Sequence, residues 1–316
     1  MMHLLTLDEL GPADLDSLFA QARQLKRARQ VGTPPSQILA GKTVALLFEK
    51  PSLRTRVSFE VAARELGGDS LYLSPQEVGL GARESIADVA RVLSAYVHAV
   101  VLRTFHHAVV EEFARHATIP VINGLTDRYH PCQALADVFT IAEHFGSPAG
   151  RTLAYVGDGN NVAHSLIQAA AKAGMRVRVA TPPGYEPEGA VLDAARRDAV
   201  RTGAHLAVMH DAEEAATGAD VLYTDVWTSM GQEAEGTLRR AIFAPYHVDA
   251  RLLALANLDA IVLHPLPAHR GEEVTDDVLD GPQSRVFAQA ENRLHVQKAI
   301  LRALVATEAR VEALTA

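Results

Sequence analysis

Thr43-Val44-Ala45-Leu46-Leu47-Phe48 runs directly into Glu49-Lys50-Pro51-Ser52-Leu53-Arg54-Thr55-Arg56-Val57-Ser58-Phe59-Glu60. The first six residues are almost wholly apolar and of strand length. Pro51 then opens a segment suited to starting a helix, with the hydroxyls of Ser52 and Thr55 in its first turn. The stretch reads as a buried strand feeding a helix, the first half of a βαβ unit. Arg54 and Arg56 bracket a threonine at the positive end of the helix dipole, where cations are disfavoured. Either they are solvated arginines on an ordinary capped helix, or a bound anion relieves the conflict. First-turn N–H groups and guanidiniums together make a phosphate site.

The same alternation continues along the chain. Strand-like runs at 70–73, 99–102 and 119–122 are interleaved with helical patterns near 53–66, 84–96, 107–117 and 132–145. The second half repeats it, with strands near 152–156, 176–180, 205–209, 220–224 and 259–263 and helices near 162–173, 188–202, 211–217 and 248–256. Strands alternating with helices of this length imply parallel sheets. Phe145-Gly146-Ser147-Pro148-Ala149-Gly150 interrupts the periodicity and divides the chain into domains over 1–146 and 150–316. A helical pattern over about 288–314 is expected to return to the first domain. The expected fold is α/β: two doubly wound domains, each a mainly parallel sheet flanked by helices, with the active site in the cleft between them.

Composition narrows the functional classes. In 316 residues, 48% apolar and 22% charged usage excludes a disordered or collagen-like chain. With 30 basic against 38 acidic residues the net charge is -8, which disfavours a nucleic-acid footprint built on clustered Lys and Arg. No apolar run approaches the ~18 residues of a membrane span, and the start lacks the basic and apolar regions of a signal peptide. The single cysteine, Cys132, excludes an internal disulfide and a multi-thiolate zinc site. The expectation is a cytoplasmic protein with no nucleic-acid and no membrane partner.

Ligands of open parallel sheets sit beyond the carboxyl ends of the strands, and the polar clusters fall there. Arg103 follows Ala99–Leu102, either at an exposed rim or aimed at a ligand. His130-Pro131-Cys132-Gln133 offers a donor to a carbonyl oxygen and a side chain that both donates and accepts. Gly157-Asp158-Gly159-Asn160-Asn161 has the opening of a dinucleotide fingerprint, but His164 and Ser165 stand where its third glycine is needed. The asparagines suit a zwitterionic small molecule better than a nicotinamide nucleotide. Asp225 can accept from an ammonium group and Ser229 can position a carboxylate. In His264-Pro265-Leu266-Pro267 two prolines stiffen the backbone around the Leu266 carbonyl, and Leu266–Pro267 is a candidate cis bond.

Taken in order, these clusters resemble the aspartate/ornithine carbamoyltransferase superfamily, and within it the ornithine carbamoyltransferases. Ser52-Leu53-Arg54-Thr55-Arg56 looks like the carbamoyl-phosphate motif, and His130-Pro131-Cys132-Gln133 matches the second motif. Asp225 with Ser229-Met230-Gly231 resembles the loop that marks ornithine as acceptor, and Ala290-Glu291-Asn292-Arg293 closes the series. The resemblance implies transfer of a carbamoyl group from carbamoyl phosphate to the δ-amine of L-ornithine, giving L-citrulline and phosphate, in arginine metabolism. It implies a homotrimer or a multiple of trimers and no metal or organic cofactor. It also implies the site residues. Ser52, Leu53, Arg54, Thr55, Arg103, His130, Gln133, Pro265, Leu266 and Arg293 take carbamoyl phosphate, and Asn161, Asp225, Ser229 and Met230 take ornithine. Arg54, Thr55, Arg103, His130 and Asp225 act in catalysis.

Two positions depart from the family pattern. Pro265 replaces the cysteine of the usual His-Cys-Leu-Pro, which leaves a different amine acceptor as the alternative reading. Gly79 stands where many relatives carry a glutamine offered to the neighbouring subunit, with Arg83 as a candidate substitute.

Overall fold

The computed structural model describes residues 3–34, 36–228 and 233–306. The chain divides into two units, one running to Cys132 and taking up again at Arg293, the other formed by Gln133–Asn292. No helix among the described residues is long and apolar enough to cross a membrane.

The first unit carries β1 (Thr43–Phe48), β2 (Asp69–Leu73), β3 (Ala99–Arg103) and β4 (Val121–Leu125), all parallel in the order β2-β1-β3-β4. Helices Leu53–Glu65, Ile86–Tyr96 and His107–His116 form the crossovers. In β1, Val44 through Phe48 are at most 1% exposed, as a strand covered on both faces requires. The valine, leucine and phenylalanine side chains among them each contribute roughly 1.5–3 kcal/mol over exposure. The edge strand β2 is the polar, part-exposed one.

One strand expectation needs correction here, and one helix goes unread. The strand expected at 119–122 runs over Val121–Leu125, because Pro120 has no N–H for the ladder. Within it Asn123 and Gly124 are buried, with Asn123 donating its backbone N–H to Leu4 O and its Nδ2 to Leu5 O, each at 2.8 Å. The helix Pro12–Gln30 is absent from the sequence reading. Its signals are present: Pro12 at the first turn, Asp14 Oδ2 accepting from Gly11 N–H at 2.8 Å, and buried Leu15, Leu18, Phe19 and Ala22 at helical spacing.

The second unit carries β5 (Thr152–Val156), β6 (Arg176–Ala180), β7 (His205–Met209), β8 (Val221–Tyr223) and β9 (Ile261–Leu263), again all parallel, in the order β7-β6-β5-β8-β9. Helix Asn161–Lys172 is buried along its whole length beside β6. The fold class read from the alternation is the one observed. The long carboxyl-terminal helix, Val286–Val305, begins in the second unit and continues in the first. There Lys298 Nζ donates to Glu65 Oε2 at 2.8 Å and to Leu25 O at 3.3 Å.

Both topologies single out a crevice. In the first sheet the order turns back between β1 and β3, in the second between β5 and β8. Such switch points are where parallel sheets bind ligands, at the carboxyl ends of those strands.

Candidate active site

At the first switch point, β1 delivers Ser52 as the cap of helix Leu53–Glu65, its Oγ accepting from Thr55 N–H at 3.2 Å. The first-turn N–H groups of Leu53 and Arg54 have no intrahelical acceptor and remain for a ligand. Leu53 itself is 76% exposed, so only its backbone serves the site. Thr55 is fully buried, and its Oγ1 accepts from Arg293 Nη2 at 2.8 Å, which leaves the hydroxyl proton to point elsewhere.

Arg103 ends β3, opposite an irregularity in the ladder. Leu102 pairs with Asn123 but Arg103 with Leu125, so Gly124 is an extra residue in β4. A bulge of this kind re-aims the neighbouring side chain. A side chain on Gly124 would come within 3.1 Å of Leu102 O, which is why glycine occupies the position. Arg103 is 7% exposed, and its Nε is buried with no partner among the described residues. Burial, then Arg293 and Arg54, push its pKa down to about 9. The half-buried Arg54 is also pulled down by burial.

His130 sits in the same field. Burial first, then Arg293, Arg103 and Arg54, hold its pKa well below the usual histidine range, so the imidazole is neutral. Next to it, burial pushes the Cys132 thiol up to about 12, and its Sγ lies 3.5 Å from Asn123 O. That thiol is inert. The first unit thus assembles Arg54, Arg103, Arg293 and His130 around one point. No carboxylate among the described residues offsets the charge of Arg54 or Arg103. Arg56, grouped with Arg54 in the sequence reading as a charge for the anion, is committed elsewhere. Its Nε donates to Glu60 Oε1 at 2.9 Å and its guanidinium stacks 3.7 Å above the Tyr72 ring.

The second switch point is acidic. Asn160 caps helix Asn161–Lys172 through Oδ1, accepting from Val162 and Ala163 N–H at 2.9 and 3.2 Å. Its Nδ2 donates to Asp225 Oδ2 at 2.9 Å. Asn160 is therefore a scaffold for Asp225, while Asn161 is buried in the first turn. Burial pushes the Asp225 pKa up, partly countered by the hydrogen bonds from Asn160 and the Val226 N–H. Nearby Asp158 is raised to about 6, by burial above all, even though the buried Arg239 pairs with it. Arg239 Nε also donates to Trp227 O at 2.6 Å. Gly159 is not part of a nucleotide fingerprint. An added Cβ would lie 2.4 Å from Pro187 N, so the glycine allows two backbones to pass. Ser229 and Met230 lie outside the described residues.

Gln133 Nε2 donates to Asp137 Oδ1 at 2.8 Å, and its Oε1 is buried with no partner among the described residues. Asp137 also accepts from Tyr223 OH at 2.9 Å and Gln289 Nε2 at 2.7 Å. Pro265 is buried, and Leu266 has φ 55° with a cis bond to Pro267. Sequence reasoning missed Asn160's role in holding Asp225, and it missed Asp137, Gln289 and Glu273 altogether. For Asp137 and Gln289 only their type, polar residues within helices of mainly apolar burial, could have signalled them, and Glu273 reads as one of several turn carboxylates. His269, Glu272 and Glu273 bring donor atoms within 4.8 Å of one another, but Glu273 Oε1 already accepts from His264 and from His269 N–H.

The arrangement can hold an anion with an attached carbonyl in one unit and an ammonium group in the other. Comparison with known proteins agrees. The family model described as aspartate/ornithine carbamoyltransferase, carbamoyl-P binding domain, matches residues 2–143, and the Asp/Orn binding domain model matches 149–304. The chain is 51% identical over 302 residues to an ornithine carbamoyltransferase of Methanoculleus marisnigri, covering 96% of each. It is 55% identical over 299 residues to one of Acidothermus cellulolyticus, covering 95% of each. Among solved structures, ornithine carbamoyltransferase from Pyrococcus furiosus is similar with a TM-score of 0.93 at 51% identity, over 96% of each chain.

Proposed function

The chain belongs to the aspartate/ornithine carbamoyltransferase family, and from that premise we infer that it transfers the carbamoyl group of carbamoyl phosphate to the δ-amine of L-ornithine. The amine nitrogen bonds to the carbamoyl carbon, the bond from that carbon to the bridging phosphate oxygen breaks, and one amine proton leaves. The products are L-citrulline and phosphate.

The observation that carries this reading is the set of three guanidiniums, Arg54, Arg103 and Arg293, around the neutral His130. Arg54 and Arg103 have no carboxylate partner among the described residues, and such a cluster is complemented by an anion. In our proposal the phosphate is held by Ser52, by the Leu53, Arg54 and Thr55 N–H groups and by the arginines. The Thr55 hydroxyl, Arg103 and His130 donate to the carbonyl oxygen as it gains charge. One preorganised donor of this type contributes roughly 100–1000-fold in rate. Gln133, Pro265 and Leu266 are assigned to the carbamoyl end. Asn161, Asp225, Ser229 and Met230 hold ornithine, with Asp225 taking an ammonium group. A buried carboxylate whose charge is disfavoured gains most from such a partner. Burial also favours the neutral form of the attacking amine, whose pKa in water lies near 10.

The proposal takes residues 1–146 as the carbamoyl-phosphate domain and 150–316 as the ornithine domain, the latter stretch also lending Pro265, Leu266 and Arg293 to carbamoyl phosphate. It requires no metal or organic cofactor and sets the enzyme in the cytoplasm in arginine biosynthesis. Assembly is proposed as a homotrimer or a multiple of it. Leu53 and Val57, 76% and 47% exposed on one helix face, supply apolar surface for a second copy to cover. Sedimentation equilibrium at three times the chain mass supports this and a monomer refutes it. The function is tested with purified protein, carbamoyl phosphate and, in turn, ornithine, putrescine, aspartate and N-acylated ornithine. Citrulline from ornithine at the highest kcat/KM is expected. A higher value with another amine assigns the acceptor differently and makes Pro265 the residue to examine.

A further inference from the structure

The segment after β9, His264-Pro265-Leu266-Pro267, contains two prolines, so only His264 and Leu266 carry a backbone N–H in it. Both donate to side chains. Gln289 Oε1 accepts from His264 N–H at 2.9 Å, and His264 Nδ1 accepts from Leu266 N–H at 2.9 Å. A ring nitrogen that accepts carries no proton, so the imidazole proton sits on Nε2. Nε2 lies 3.1 Å from Oε1 of Glu273, a side chain with no exposed surface. The same oxygen takes His269 N–H at 2.6 Å. On the other side Gln289 Nε2 donates to Asp137 Oδ1, the oxygen that also receives Gln133 Nε2. A continuous chain of hydrogen bonds, buried up to His264 and half-buried at its last link, therefore runs from Gln133 to the Leu266 peptide.

That chain ends on the only non-glycine residue with positive φ among those described, Leu266 at 55°. A branched side chain rarely adopts this conformation and keeps it only where its surroundings over-determine it. Such residues concentrate at functional sites. Pro265 brings no polar side-chain atom, so recognition by this segment falls to the peptide group itself.

We propose that Glu273, His264 and Gln289 are positioning residues that hold the Leu266 peptide in its left-handed conformation, so that its carbonyl accepts a substrate N–H. Glu273 selects the Nε2–H tautomer, the tautomer supplies the acceptor at Nδ1, and that acceptor pins Leu266. None of the three touches substrate. The proposal rests on the transferase reading above.

Three substitutions separate positioning from stability. His264→Asn keeps an acceptor oxygen near the place of Nδ1, whereas His264→Gln places its amide near Nε2 and lacks that acceptor. Glu273→Gln keeps an acceptor for the Nε2 proton. The expected outcome is a kcat with ornithine about 100-fold lower in His264→Gln, as for an ångström-scale misplacement. His264→Asn and Glu273→Gln should stay within about tenfold of wild type. The KM for carbamoyl phosphate should change by less than about threefold in all three, because its phosphate is held by other groups. Equal kcat losses in the two His264 variants, or losses that simply follow Tm, overturn the proposal. Crystal structures supply a readout independent of activity. Leu266 should keep its positive φ in His264→Asn and lose it in His264→Gln, and the same φ in both overturns the proposal. If the wild-type protein forms no citrulline, the transferase reading fails, while the Leu266 φ still decides the positioning role.

Discussion

Replacing Arg103 with methionine should stabilise the ligand-free protein while nearly abolishing its activity. Arg103 is 7% exposed, and its pKa is pushed down to about 9, first by burial and then by Arg293 and Arg54. Keeping an unpaired charge in that buried, like-charged surrounding costs several kcal/mol, on the order of the penalty for burying one ion. Methionine fills similar volume without the charge. Apolar replacement of buried ionic groups often stabilises by about 1–4 kcal/mol, and part of that is lost here to imperfect packing. A net gain of roughly 1–2 kcal/mol should raise Tm by about 1.5–3 °C in a chain of this length. Thermal denaturation with and without inorganic phosphate, beside a citrulline assay, reads both effects. Wild type should gain Tm with phosphate, by the roughly 2.7 kcal/mol expected at a hundredfold excess over Kd. Arg103→Met should start higher, gain little from phosphate and turn over roughly 100–1000-fold more slowly. A lower ligand-free Tm together with near-normal turnover would refute the reasoning, because Arg103 would then be an ordinary structural cation.

Arg54→Ala should abolish turnover and leave circular dichroism unchanged, since Arg54 makes no ion pair within the fold among the described residues. Asp158 keeps its proton to about pH 6 in the folded state, whereas an unfolded aspartate releases it near 3.9. The folded state binds more protons across that window, so this group's contribution falls as pH rises through it and the loss is complete above about 6. Asp158→Asn should therefore remove on the order of 3 kcal/mol of slope from urea-derived stability between about pH 4 and 6, and an unchanged slope contradicts the assignment. Gly159→Ala puts a methyl group 2.4 Å from Pro187 N and should lower stability by roughly 3 kcal/mol, read as a reduced urea midpoint at constant slope.

The sheets were legible because their strands are short apolar runs bounded by turn residues, and β1, β5, β6 and β7 fall on the ranges read from sequence. The anion pocket was half legible. A cation at the end of Ala99–Leu102 and arginines at a helix start are local patterns. The insertion of Gly124 that turns Arg103 is not a local pattern, because it depends on how β4 pairs with β3. Arg56 reads the same as Arg54 in sequence, and only the helix geometry sends one to Glu60 and leaves the other free of carboxylates. Arg293 lies 238 residues from the threonine it touches, and no periodicity links them. Gln133, Asp137, Gln289 and Glu273 are likewise spread over the second unit. Gln133 was legible from its motif, but Asp137 and Gln289 look like misplaced polar residues on helices and Glu273 like an ordinary turn glutamate until the hydrogen bonds are traced.

The central claim is that the buried guanidiniums of the first unit exist to receive a phosphate. A crystal soaked with a non-hydrolysable phosphonate analogue of carbamoyl phosphate measures it directly. The account predicts phosphonate oxygens on the Leu53, Arg54 and Thr55 N–H groups and on the side chains of Arg54, Arg103 and Arg293, with the analogue's carbonyl oxygen facing His130. An analogue bound elsewhere, with that pocket holding only water, would contradict it.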